Sequence, residues 1–223
     1  MQVSHAPGLF LKVKENWKII LTVNLSTAID WILIFISLKY ISGSLVNCIV
    51  FGVAPLATLL LTLKSYLSKK LIIKDILVTL SICVILLILS FIYYTHTAQP
   101  LDKTYLLISI SLCTISGFAT GVTVITCKML QRNNFNPLAI IKTRFILLII
   151  ASLALIAYFN IDISISYKTL FLTMLLATLF IILPSFLLQK GLETTSAVTA
   201  VIVSSSIPVI TYLFQIIDPR YHI

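Results

Sequence analysis

One carboxylate lies near the middle of a long apolar stretch, and it is the residue of this 223-residue chain best suited to chemistry. Asp30 sits within residues 17–41, a stretch long enough to cross a bilayer as a helix. An ionised carboxylate at such a depth costs about 2.5–3.5 kcal/mol on insertion scales, so Asp30 is expected to face protein or water. It could carry a proton or bind an ammonium group, or it could be a neutral acid that holds helices together.

Further side chains inside apolar stretches are candidates for lining a binding cavity with Asp30. These candidates are Asn24, Trp31, Asn47, Ser204, Ser205 and Ser206. Small hydroxyl groups also let helices approach closely, and this interpretation of the serines stays open. Gly117 and Gly121 are four residues apart in the motif SGFATG, a spacing that predicts a helix-packing face.

The remaining reactive residues predict no catalytic or metal site. Hydrolysis inside a membrane needs paired carboxylates, a serine with a nearby base, or metal ligands. His5, His96 and His222 fall in the termini or a loop, without ligand spacing. The four cysteines lie singly inside apolar stretches, as residues that fill space between helices do. The sequence therefore predicts a protein that is not an enzyme and has no metal or cofactor.

Composition places these residues in a membrane. The chain is 59% hydrophobic and 10% charged, whereas soluble domains carry about 25% charged residues. The apolar stretches are continuous, unlike the short alternating segments of membrane barrels. We predict an all-α polytopic bundle of about seven transmembrane helices, at residues 17–41, 45–63, 71–95, 104–127, 138–159, 167–188 and 195–217.

The distribution of positive charge predicts the orientation. Of the 16 lysines and arginines, 12 fall on one side if the N-terminus is cytoplasmic. The four on the other side are Lys39, Lys103, Lys168 and Arg220. This bias matches the positive-inside rule for an inner-membrane protein. It also accounts for the net charge of +9 without nucleic acid, so the expected partners are the lipid bilayer and a small-molecule substrate.

Two helical hairpins, residues 24–63 and 175–214, share one design. Each has a long helix, a short polar turn, and a helix with a central proline, Pro55 or Pro208. Five helix steps separate the two proline-bearing spans, so the second hairpin must cross the membrane in the opposite sense. Inverted repeats of this kind are typical of secondary transporters, whose substrate site lies between the repeats. The prolines could bend helices around a cavity, or they could be packing kinks alone.

These segments resemble the EamA-like domain of the drug/metabolite transporter superfamily. Residues 31–61 are similar to the third and fourth helices of such proteins, 187–214 to the eighth and ninth, and 116–150, with Arg144, to the sixth and seventh. The resemblance implies transport of metabolites or drugs by alternating access. It also implies two partial repeats, of three helices in residues 1–103 and of four in residues 104–223.

Family members usually have ten helices as two inverted repeats of five. Measured against that pattern, helices one, two and ten are not matched in this chain. Two alternatives therefore stay open, a transporter that completes itself as a homo-oligomer and a truncated membrane fragment that does not transport. The resemblance is informative for the fold and does not specify the substrate.

Overall fold

The computed structural model describes residues 13–66, 73–96, 103–160 and 166–217, and these residues form helices without strands. A π-helical turn, Thr178–Ile182, continues one helix into the next. In chain order the helices are α1 (Trp17–Ser37), α2 (Gly43–Tyr66), α3 (Ile73–His96), α4 (Lys103–Arg132), α5 (Pro137–Arg144), α6 (Ile146–Tyr158), α7 (Tyr167–Ala177), α8 (Leu183–Thr194), α9 (Ala197–Ser204) and α10 (Ile207–Ile217).

The helices have the length and composition of membrane spans. Within the described ranges, five helical segments are long and apolar enough to cross a bilayer: Trp17–Ser37, Gly43–Thr62, Lys103–Arg132, Pro137–Tyr158 and Tyr167–Thr194. Two shorter apolar helices, Ile76–Phe91 and Ala197–Thr211, fall in the two remaining predicted spans. The predicted polytopic membrane bundle is confirmed, because each apolar stretch read from the sequence is mainly helical in its described residues.

Polar caps fix where helices begin. At α5, the Asn136 side chain accepts a hydrogen bond from the Ala139 amide at 2.7 Å, and Pro137 takes the first helical position. At α9, the Ser196 hydroxyl accepts from the Thr199 amide at 3.0 Å. Such side chains satisfy amides that have no partner within the helix, and water cannot easily do so near lipid.

Helix α4 is the centre of the bundle and packs along both α1 and α2. Its glycines allow this close approach. A Cβ atom at Gly117 would lie 2.7 Å from the Val50 carbonyl oxygen, and one at Gly121 would lie 2.9 Å from the Cβ of Ala57. Helices α1 and α2 are thus held at fixed positions on α4, while α9 and α10 lie across α2.

The span Tyr167–Thr194 is different, because most of it lies outside the bundle. Its most apolar stretch buries no residue, and α7 exposes large apolar side chains such as Phe171 and Met174. Gln189 and Leu192, in the last turns of α8, are buried. The chain therefore rejoins the bundle at the end of α8, beside the end of α4 and beside α5.

Candidate functional site

Asp30 on α1 is buried against α4 and bonded to it. Its Oδ1 atom accepts hydrogen bonds from the hydroxyls of Ser116, at 2.5 Å, and Thr120, at 2.9 Å. These hydroxyls lie on one face of α4 because their residues are four apart. Among the described residues, no hydrogen bond reaches Oδ2, so the bonds that join this carboxylate to α4 all fall on one of its oxygens.

The hydroxyl contacts continue along the same interface. Ser26 on α1 and Thr123 on α4 are joined through their side-chain oxygens at 2.8 Å. We call Ser26, Asp30, Ser116, Thr120 and Thr123 the polar seam. The sequence did not single out the three α4 residues, because serine and threonine in an apolar helix give no sign of which neighbour they face. The available signal was their spacing of four and then three residues, which places them on one face of the helix.

Asn24 lies on the same helix as Asp30, but its side chain bonds to the junction between α5 and α6. Its Nδ2 donates to the Thr143 carbonyl at 2.7 Å, and its Oδ1 accepts from the Leu147 amide at 3.1 Å. In a continuous helix those two backbone groups would bond each other. Between them Phe145 leaves helical geometry (φ −98°, ψ 1°). The side-chain amide therefore bridges a break in the helix.

The break brings Arg144 inside the bundle. Arg144 is 8% exposed, and its guanidinium lies 4.7 Å from the centre of the Phe145 ring. The sequence counted Arg144 among the 12 charges on the cytoplasmic side, whereas the structure buries it between helices. It attracts Asp30 electrostatically but makes no contact ion pair with it. The signal that could have flagged it was its position inside an apolar span, eight residues into Pro137–Tyr158.

The two proline regions meet. Pro55 has no amide hydrogen, so the Phe51 carbonyl one turn earlier lacks its usual helical donor. The Ser205 hydroxyl donates to that carbonyl at 2.9 Å. Ser205 itself lies in the break between α9 and α10, just before Pro208. Helix α2 remains continuous through Pro55, whereas the last span is divided.

The other predicted cavity residues are scattered. Ser204 lines a cavity of about 210 Å³ with Gly191, Thr195 and Thr199, and its hydroxyl bonds the Ala200 carbonyl. Ser206 is exposed, and its hydroxyl donates to the Val203 carbonyl. Trp31 and Asn47 are half-buried, and the Trp31 ring lies 5.8 Å from that of Phe35. No hydrogen bond in the described ranges joins these residues to Asp30, so a shared cavity stays a prediction.

A cavity of about 310 Å³ lies between α2, α3 and α4. Its lining is largely apolar and includes the thiols of Cys48 and Cys83 and the hydroxyls of Ser90 and Thr114. None of the predicted cavity residues lines it. All four cysteines are buried and unpaired, and the described residues contain no cluster of His, Cys, Asp and Glu that could hold a metal ion.

A bundle of membrane-length apolar helices with buried polar contacts defines a multi-pass membrane protein. Residues 107–217, about half of the chain, match the model of the EamA-like transporter family. The chain belongs to this family of transporters, and the resemblance read from the sequence is confirmed. The match runs from the first turns of α4 to the end of α10. The chain matches no curated protein and no solved structure.

Proposed function

We propose that this protein moves a small metabolite or drug-like solute across the inner membrane by alternating access. In this proposal the polar seam borders the solute path, and Asp30 binds the proton or cationic group whose movement is coupled to it. Family membership supports the transport of solutes. The observation that carries the role of Asp30 is its bonding, with both hydroxyls on Oδ1 and none from the described residues on Oδ2.

The chemistry of Asp30 follows from its surroundings. A buried ionised carboxylate needs compensation, and hydroxyl donors supply only part of it. No cation among the described side chains forms a contact ion pair with Asp30. A proton or a substrate ammonium group can therefore complete the site in one state and leave it in the other. Exchange of this kind is the coupling that alternating access requires.

The orientation and the repeats belong to the same proposal. The charge distribution supports a cytoplasmic N-terminus, and the hairpins around Pro55 and Pro208 support two halves in opposite senses, divided near residue 103. The contact between Ser205 and the Phe51 carbonyl supports a mutual packing of these hairpins. Labelling of a tag at Lys190 from the outer side alone would overturn the orientation.

Flux through vesicles tests the role of Asp30. Purified protein is reconstituted, and efflux of a panel of amino acids, nucleotides and amphipathic amines is compared between wild type and Asp30→Asn. Asparagine keeps the shape and the Oδ1 acceptor and removes the charge. Glu15→Gln, which removes an exposed carboxylate before α1, is the matched control. We expect flux at least about tenfold lower in Asp30→Asn, the effect of ~1.4 kcal/mol, and unchanged flux in the control.

The two failures of this experiment differ in meaning. Equal flux in wild type and Asp30→Asn would show that Asp30 only joins α1 to α4. Absence of flux for every solute in the wild type would favour the alternative of a membrane bundle that does not transport.

A further inference from the structure

Arg144 is a buried charge that forms no contact ion pair within the described part of the chain. Its Nε atom is buried without a hydrogen-bond partner. The ion pair between described side chains joins Lys190 to Glu193, and both residues are exposed. An unpaired guanidinium inside a protein is costly. The side chain is also held in place, because Asn24 fixes the backbone on either side of Arg144.

A second unsatisfied donor lies at the same place. Gln189, near the end of α8, is 1% exposed, and its Nε2 atom has no hydrogen-bond partner in the described residues. Cys127 on α4 lies in one buried cluster with Ile140 on α5 and Leu192 on α8. Ile140 is one turn before Arg144 and Leu192 is one turn after Gln189, so the turns that carry the guanidinium and the amide meet around this thiol. Each of the two groups has a buried donor without a partner, and no described carboxylate forms an ion pair with Arg144.

The polar side chains beside Gln189 bond to α8, and the Oε1 atom of Gln131 is buried without a partner among the described residues. Gln131 donates through Nε2 to the carbonyl and the side-chain oxygen of Gln189. Lys128 donates to the carbonyls of Leu192 and Glu193 at the end of α8. These bonds join the end of α8 to the end of α4, next to Gln189.

We propose that Arg144 and Gln189 bind the oxyanion of a ligand, a carboxylate or a phosphate. The planar guanidinium offers paired donors that match such a group, and the neutral amide adds a third hydrogen bond. The anion supplies the contact ion pair that Arg144 lacks among the described side chains. This site is separate from Asp30 and does not depend on the proposed coupling role of that residue.

Access to the site requires the end of α8 to separate from α4. The hydrogen bonds from Lys128 and Gln131 are the polar contacts that this movement breaks. In the conformation described, the two donors are buried away from water. Binding of an oxyanion would favour the form in which α8 has moved.

Binding is measured on the full-length protein in detergent, by thermal unfolding with inorganic phosphate and citrate, each against equal ionic strength of sodium chloride. We expect a saturable rise in the unfolding temperature of the wild type. Arg144→Gln should weaken the apparent affinity at least about tenfold. Arg132→Gln removes an exposed charge from the same end of α4 and should bind like wild type. Asp30→Asn should also bind like wild type, which separates this test from the test of transport.

A second variant keeps the test decisive if Arg144→Gln does not fold. Gln189→Glu places a carboxylate beside the guanidinium and retains the oxygen that accepts from Gln131. It should raise the unfolding temperature of the ligand-free protein and abolish the response to phosphate and citrate. A lower unfolding temperature with an intact anion response would overturn the proposal.

The source of the oxyanion is resolved in nanodiscs with and without phosphatidylglycerol. Stabilisation by free phosphate or citrate that depends on Arg144 identifies a soluble ligand. Stabilisation by the anionic lipid alone, again dependent on Arg144, identifies a headgroup. If no probe stabilises the wild type, or if Arg144→Gln and Arg132→Gln respond alike, the site does not exist.

Discussion

Two places in this protein lose a helical hydrogen bond, and a side chain from another helix completes each of them. At Pro55 the lost donor is inherent in the residue, and the Ser205 hydroxyl bonds the Phe51 carbonyl. At Phe145 no residue forbids a helix, yet the backbone bends and the Asn24 amide bonds both free groups. At Pro55 the hydrogen bond is lost because of the residue itself, and Ser205 only replaces it. At Phe145 the contact with Asn24 is what stabilises the break in the helix.

The difference lies in what would happen without the neighbour. A proline leaves the carbonyl four residues earlier without its helical donor in any surroundings. Loss of Ser205 therefore exposes one acceptor and leaves the helix path unchanged. The sequence from Thr143 to Leu147 can form a regular helix once Asn24 is gone. The break at Phe145 therefore depends on Asn24, and we expect the burial of Arg144 to depend on that break.

The largest effect is expected at Asn24. Asn24→Ala leaves the Thr143 carbonyl and the Leu147 amide to pair with each other or stay unsatisfied, with a loss of roughly 2–4 kcal/mol. Unfolding in mixed micelles measures this stability. Thr22→Ala, which removes an exposed hydroxyl bonded within α1, is the control and should change stability by less than about 0.5 kcal/mol. A similar small change for Asn24→Ala would mean that the two backbone groups pair with each other once this side chain is gone.

A smaller loss is expected where α4 supports the proline region of α2. Gly117→Ala places a methyl group 2.7 Å from the Val50 carbonyl oxygen, next to Phe51. We expect destabilisation of roughly 1–3 kcal/mol in the same unfolding assay, because the two helices must separate. Gly191→Ala, a helical position with open space around it, should be neutral or slightly stabilising. Equal effects of the two substitutions would show that α4 and α2 are not held this closely.

The smallest effect is expected at Ser205. Ser205→Ala removes the donor to the Phe51 carbonyl, with a loss of about 0.5–1.5 kcal/mol. In a Pro55→Ala background the alanine amide can bond that carbonyl, so the same change should cost less than about 0.5 kcal/mol. Ser206→Ala, which removes an exposed hydroxyl, is the control. An unchanged loss in the Pro55→Ala background would show that Ser205 stabilises the protein by another contact.

The helices could be predicted from the sequence because continuous apolar stretches of membrane length leave few alternatives. Pro55 and Pro208 marked irregular positions, because a proline removes a backbone donor wherever it lies in a helix. The break at Phe145 could not be predicted, since it arises from a contact between Asn24 and residues far along the chain. The burial of Arg144 beside that break was likewise not predicted, and its charge was counted on the cytoplasmic side.

The candidate site was predictable only in part. Asp30 stood out because a carboxylate is rare in an apolar span, and the structure shows how it is bonded. Its partners Ser116 and Thr120 depend on how α1 is rotated against α4, which hydropathy does not determine. Gln189 gave no signal because it lies near the end of its span, where a polar residue is ordinary.

The long span from Tyr167 to Thr194 is attached to the rest of the protein near its end at Gln189 and Leu192. Within the described residues, its first half buries no side chain against the other helices. Because this span packs against the other helices near one end, a small rotation there would move its other end by a larger distance. Such a movement would change contacts with lipid more than contacts with protein. The hydrogen bond from Lys128 to the Leu192 carbonyl would hold the span at its attached end.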